Sequence, residues 1–165
     1  MTGFGRSIAI AMLACLPGVP VAQGAQVAFG EMQRDRDRPV EVSSDSLSVN
    51  QSDNSAVFTG EVVIAQGAMR LSAPRVRVVY LADRSGIEAL EATGGVTLVS
   101  GEDAAEAENA DYSVNTGIIE LRGDVLLVSD GTTITGDTVR IDTAAGAAQV
   151  SGRVKTVLQP GDTTE

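Results

Sequence analysis

The sequence predicts an all-β domain built from about four repeated antiparallel strand units. Three observations carry that prediction: apolar residues fall at every second position around a recurring glycine, turn-forming clusters separate these runs, and the composition suits strands. Of the 165 residues, 43% are hydrophobic but only 3% aromatic. The interior therefore has to be filled by Val, Leu, Ile and Ala, which favour a pleated surface. No window carries a convincing apolar stripe at helical spacing.

The alternating runs fix the repeat. They read Ala56, Phe58, Gly60, Val62, Ile64; Leu90, Ala92, Gly94, Val96, Leu98; Ile119, Leu121, Gly123, Val125, Leu127; and Ala148, Val150, Gly152, Val154, Thr156. Period 2 puts the five side chains of each copy on one face. The intervening Glu61, Thr97, Glu120, Asp124 and Arg153 leave the other face in water. A glycine inside a strand weakens it, so its repetition on the inward face marks one bend per layer.

Between these runs lies a second pattern, apolar-x-small-x-x-apolar-x-apolar. It occurs at Val42, Ser44, Leu47, Val49; at Leu71, Ala73, Val76, Val78; at Ala105, Ala107, Ala110, Tyr112; and at Ile134, Gly136, Val139, Ile141. Its step of three breaks strict alternation and requires a bulge or a corner. Ser52-Asp53-Asn54-Ser55, Asp83-Arg84-Ser85-Gly86, Asn115-Thr116-Gly117 and Thr143-Ala144-Ala145-Gly146 supply hairpin connections.

Ahead of the repeats, Arg6 precedes the apolar run from Ile8 to Leu16, which is shorter than the ~20 residues a membrane span needs. Small residues around Ala22-Gln23-Gly24-Ala25 offer a cleavage site, so residues 1–25 read as a secretory signal peptide and the mature chain as beginning between residues 23 and 26. A lipid-attachment box at Met12-Leu13-Ala14-Cys15 is the rival reading, but Met12 suits it poorly. Residues 26–38 end in the alternating-charge run Arg34-Asp35-Arg36-Asp37-Arg38 and read as a solvated linker. The domain is expected over 39–160 and a disordered tail over 161–165.

The chain has no His, no Trp and a single Cys15 inside the leader. The mature protein thus lacks an imidazole base, a thiol nucleophile and soft metal ligands, and neither an enzyme nor a cofactor is expected. A net charge of −10 disfavours nucleic acid and anionic membrane surfaces as electrostatic partners.

Three segments carry a resemblance to a known family: Pro39-Val40-Glu41-Val42-Ser43-Ser44-Asp45-Ser46-Leu47, Ala56-Val57-Phe58-Thr59-Gly60-Glu61-Val62-Val63-Ile64, and Gln66-Gly67 with Leu71-Ser72-Ala73-Pro74-Arg75-Val76. In this order they resemble the OstA-like (LptA) family of periplasmic lipopolysaccharide-transport bridge proteins. Gly152-Arg153-Val154-Lys155-Thr156-Val157-Leu158-Gln159-Pro160 resembles the family's closing strand. The third repeat departs from the pattern, with Ala105, Ala107 and Ala110 where bulkier residues are usual.

The resemblance implies an OstA-like twisted β-jelly-roll, open at both ends, whose apolar lumen holds the acyl chains of lipopolysaccharide. It also implies a head-to-tail homo-oligomer, joined by strand addition, that links inner-membrane and outer-membrane transport components in the periplasm. Acyl burial contributes roughly 0.8 kcal/mol per CH₂ whatever the surface charge, so an acidic protein can still hold an anionic glycolipid.

The expected lipid-contacting residues are Phe58, Val62, Ile64, Leu71, Val76, Leu90, Val96, Leu98, Leu121, Val125, Leu127, Ile134, Val139 and Ile141. Any one of them serves equally well as plain core. Arg70, Arg75, Arg77 and Arg84 could meet lipid phosphates at a rim, but the alternation of Arg75 and Arg77 with Val76 and Val78 puts them on the solvated face. Glu102, Asp103, Glu106 and Glu108 match no calcium-loop spacing and read as a solvated acidic strand.

The alternative function is a structural β-solenoid or filament protein with a filled core and no lipid. A carrier should have an interior too wide for its own side chains, and the small inward Ala56, Ala73, Ala92 and Ala107 favour such room.

Overall fold

The computed structural model describes residues 25–29, 34, 35 and 37–158. The expected signal peptide, save its last residue, and the expected tail lie outside them. Eleven strands follow one another: β1 (Ala25–Ala28), β2 (Glu41–Ser43), β3 (Ser46–Asn50), β4 (Ser55–Gln66), β5 (Met69–Tyr80), β6 (Ile87–Ser100), β7 (Asp103–Ser113), β8 (Ile118–Ser129), β9 (Thr132–Asp142), β10 (Ala147–Ser151) and β11 (Lys155–Leu158). They form one antiparallel sheet in the order β1-β10-β9-β8-β7-β6-β5-β4-β2, with β3 also on β4 and β11 also on β9. The two ends of this order do not pair, so the sheet is open, and the all-β expectation holds.

The glycine of each repeat is where the strand bends. On β4, Gly60 and Glu61 face a single residue of β5, because pairing resumes from Thr59↔Arg75 at Val62↔Ala73. The same two-against-one shift separates Thr93 from Val96 on β6 and Arg122 from Val125 on β8. Each bulge uses two consecutive left-handed residues: Gly60 and Glu61 (φ 81° and 41°), Gly94 and Gly95 (95° and 98°), Gly123 and Asp124 (86° and 41°), and Gly152 and Arg153 (75° and 42°). The second pattern meets these bends from the neighbouring strand, where Asp45 N–H donates to Gly60 O and Asp137 N–H to Gly152 O, both at 3.0 Å. At the outermost copies the corner breaks the strand outright, so β2 and β3 flank different halves of β4, and β10 and β11 flank different halves of β9.

The glycines themselves are half-buried or exposed at the corners rather than buried on the inward face, which corrects the expectation. The left-handed backbone, not interior packing, requires glycine here. A Cβ on Gly123 would also lie 2.8 Å from Glu108 Cβ, and one on Gly60 2.9 Å from Asp45 Cβ, whereas one on Gly95 meets nothing. Gly123→Ala should therefore cost about 2–3 kcal/mol in thermal or urea unfolding and Gly95→Ala about 1–2. Equal losses at both positions would refute the close-packed corner.

The bends divide the sheet into two arms. The first arm contains residues 55–59, 75–80, 87–93, 109–113, 118–122, 138–142 and 147–151, edged by β3 and β1. The second contains residues 62–66, 69–73, 96–100, 103–107, 125–129 and 132–136, edged by β2 and β11. Inward residues of both arms belong to one buried cluster. A single sheet can bury its own face only if it folds onto itself, so the arms close on each other like a V with the corners at its apex.

The linker expectation is corrected at both ends. Residues 25–28 form β1 and pair with β10, while Phe29 is completely buried. The charged run docks on the β4–β5 hairpin, where Ala68 N–H donates to Asp35 Oδ2 at 2.7 Å and Gln66 Nε2 to Arg38 O at 3.0 Å. The alternation of Ala25, Val27 and Phe29 is the strand signal that the neighbouring charges obscured.

Candidate functional site: the interior between the arms

The inner face is apolar over most of its length, with the buried polar residues Gln66 and Ser100 at strand ends. Val62, Ile64, Leu71, Val76, Leu90, Val96, Leu98, Leu121, Val125, Leu127, Ile134, Val139 and Ile141 are each at most 2% exposed, all within one cluster. Phe58 is half-buried and packs against that cluster. The bends keep the five-residue pattern pointing inward across the glycine, because each bulge adds one residue and restores the phase.

This interior is packed rather than hollow, which corrects the expectation of spare width. Ala56 and Ala92 are 1% and 2% exposed, and Ala73 and Ala107 only 6% and 9%. The small residues are covered by the rest of the cluster and do not open a channel. In the third repeat, Ala105, Ala107, Ala110 and Tyr112 are all buried in the same cluster.

At the two ends of the sheet the inner face is uncovered. Leu47 and Val49 lie directly across from Phe58 and Ala56, on the inward side, yet are 55% and 64% exposed. On the opposite edge Thr156 pairs with Ile134 and Leu158 with Thr132, and Leu158 is 72% exposed. The last copy of the alternating motif therefore contributes Ala148 and Val150 to the core, while Val154 and Thr156 form a rim. Both rims carry exposed aliphatic side chains, both are strand edges, and they face opposite ways along the sheet order.

The free ends of the arms are tied by polar contacts that the sequence patterns did not reveal. Tyr112 of the first arm, 2% exposed, donates from Oη to Gln66 Oε1 of the second at 2.8 Å, and Gln66 is itself buried. Loss of a buried hydrogen bond costs stability, so Tyr112→Phe should lower it by about 1 kcal/mol in urea denaturation. An unchanged midpoint would show that the tie contributes nothing.

Charged side chains pair on the outer face. Arg77 reaches Glu91 and Asp53 at 3.2 and 3.3 Å, Arg122 bonds Glu120 and Asp111, and Arg153 bonds Asp137. These bonds raise the guanidinium of Arg77, first through Glu91, and lower the carboxyl of Asp137, first through Arg153. A lowered carboxyl stabilises the fold above its ordinary range and ceases to do so as acid protonates it. These groups are solvent-exposed, so the contribution is small. Arg70 donates to the Gly67 and Met69 carbonyls, and Arg84 to Asn54. The basic cluster is thus largely engaged locally, and Asp103, Glu106 and Glu108 lie on β7 as a strand.

A bent, open, antiparallel repeat sheet whose mainly apolar inner face is closed into one packed cluster defines a jelly-roll-like protein with a filled interior between its arms. The chain belongs to the LptA/(LptD N-terminal domain) LPS transport protein family, whose profile matches residues 41–147. It is 27% identical to an uncharacterized protein of Rhizobium meliloti over 97% of this chain and 88% of that one. It is 26% identical to the lipopolysaccharide export system protein LptA of Escherichia coli K12, over 76% of this chain and 74% of that one. With the lipopolysaccharide export system protein LptH of Pseudomonas aeruginosa it shares 25% identity over 87% of this chain and 91% of LptH. The crystal structure of LptH, described as a periplasmic component of the lipopolysaccharide transport device, superposes with a TM-score of 0.67 at 22% identity, over 76% of this chain and 99% of that one.

Proposed function

We propose that this protein is a periplasmic, non-enzymatic carrier that holds lipopolysaccharide by its acyl chains between the two arms and passes it from inner to outer membrane. The observation that carries the reading is the largely apolar inner face of an open sheet, in a chain of the LPS transport family. Lipid enters by separating the arms, because the resting interior is full. The thirteen buried candidates and Phe58 then become the walls against which acyl chains lie, with sugars and phosphates left in water. The uncovered rims at β3 and β11 support head-to-tail joining of copies, and joining to inner-membrane and outer-membrane components of the same fold, by strand addition.

The packed interior also favours a second reading, a purely structural β-protein with a filled core. Mass spectrometry of the intact exported protein separates the two. The carrier reading expects co-purified lipid whose mass matches acylated lipid A or lipopolysaccharide, in sub-stoichiometric to equimolar amount. A preparation free of such lipid, and unable to take it up from added lipopolysaccharide, would leave the structural reading. The same measurement checks the leader: the mature mass should start between residues 23 and 26, and a diacylglycerol adduct on Cys15 would contradict this.

A further inference from the structure

Phe29 is the largest fully buried side chain among the described residues, and it lies outside every repeat motif. Its N–H donates to Gly146 O at 3.2 Å, in the turn that ends the first arm. The preceding carbonyl, of Ala28, accepts from Ser129 Oγ at 3.2 Å, at the tip of the second arm. Phe29 thus enters the core where the free ends of the arms meet, on the side of the V away from its corners. Its anchorage is slight: β1 pairs over four residues with β10 alone and forms the outermost strand. The strands β5 to β8, by contrast, are each paired on both sides.

We infer that the space filled by Phe29 is an acyl-chain site of the interior, and that an entering fatty-acyl chain displaces Phe29 and takes its place. This rests on the lipid-binding reading above and names where in the interior one chain lies. A benzyl side chain and a methylene chain are drawn to such a space by the same expulsion of water, and the longer chain buries more apolar surface. Phe29 is completely buried, so a guest in its place needs it to leave. Phe29 can leave by releasing the four-residue β1 ladder together with the Gly146 and Ser129 bonds, with every glycine corner intact, which puts its segment at the low-stability end of the molecule.

The chain contains no tryptophan, so Phe29→Trp installs a single fluorescent reporter in the intact mature protein. Blue-shifted emission without lipid verifies that the indole is buried. Titration with dispersed lipid A should shift the emission to the red, in step with crosslinking of lipid A to a photoreactive residue placed at Leu98. Phe29→Ala, which removes the competitor, should bind lipid A about three- to tenfold more tightly, as expected when the fraction of binding-competent protein rises. Crosslinking at position 98 with emission that stays blue, or unchanged affinity in Phe29→Ala, would overturn the inference and leave the carrier reading standing. Absence of crosslinking at position 98 together with no shift would overturn both.

Discussion

Leu98→Asp should abolish the cooperative unfolding transition at neutral pH, whereas Thr97→Lys, one residue away, should shift it by no more than about 0.5 kcal/mol. Leu98 is completely buried in the cluster shared by the two arms, and Thr97 is exposed on the outer face. An unpaired carboxylate in that cluster costs several kcal/mol beyond the lost leucine packing, a large share of the roughly 5–15 kcal/mol that holds a domain of this size. Circular dichroism and urea titration of both variants check the contrast. A cooperative Leu98→Asp transition within about 1 kcal/mol of the parent would mean that the interior is already open to water. The same burial explains why charged variants cannot report on lipid binding, since they remove the fold that would bind it.

Leu158→Glu, and separately the pair Leu47→Glu with Val49→Glu, should weaken self-association about a hundredfold or more while leaving the unfolding transition unchanged. These side chains are 72%, 55% and 64% exposed on inward-facing positions of edge strands, so they contribute little to the isolated fold. Burying two such aliphatic side chains in a joint is worth about 3 kcal/mol or more, and a like-charged rim adds repulsion to that loss. Sedimentation over a concentration series measures the effect. Because the two rims are different surfaces, a protein altered only at β11 should still join through β3 to one with an intact β11. Variants that assemble as the parent does would place the joint elsewhere.

The strand repeats were legible in the sequence because burial on one face imposes period 2, and because the first left-handed residue of each corner is a glycine. Thus Gly60, Gly94, Gly123 and Gly152 marked the bends, and the broken alternation around Ala73 and Ala107 marked the facing strands. Burial of thirteen of the fourteen candidate residues follows from the same periodicity. What the sequence hid depends on contacts between distant segments. The Phe29 segment is held by Ser129 and Gly146, a hundred residues or more further along the chain, and Tyr112 meets Gln66 only because the arms close. The fullness of the interior was hidden for a similar reason, since an alanine leaves a gap or permits a close approach depending on the distance between sheets.

The most direct test of the carrier account places a photoreactive, largely apolar amino acid at Val62, Leu98 and Val125, and at their outward neighbours Glu61, Thr97 and Asp124. The first three are at most 2% exposed and the other three lie on the exposed face, so the two sets occupy opposite sides of the sheet. Irradiation in cells exporting lipopolysaccharide should give lipopolysaccharide adducts from positions 62, 98 and 125 and none from 61, 97 and 124. Equal labelling of both sets, or no adduct from the inward set in folded protein, would contradict the claim that lipid travels between the arms.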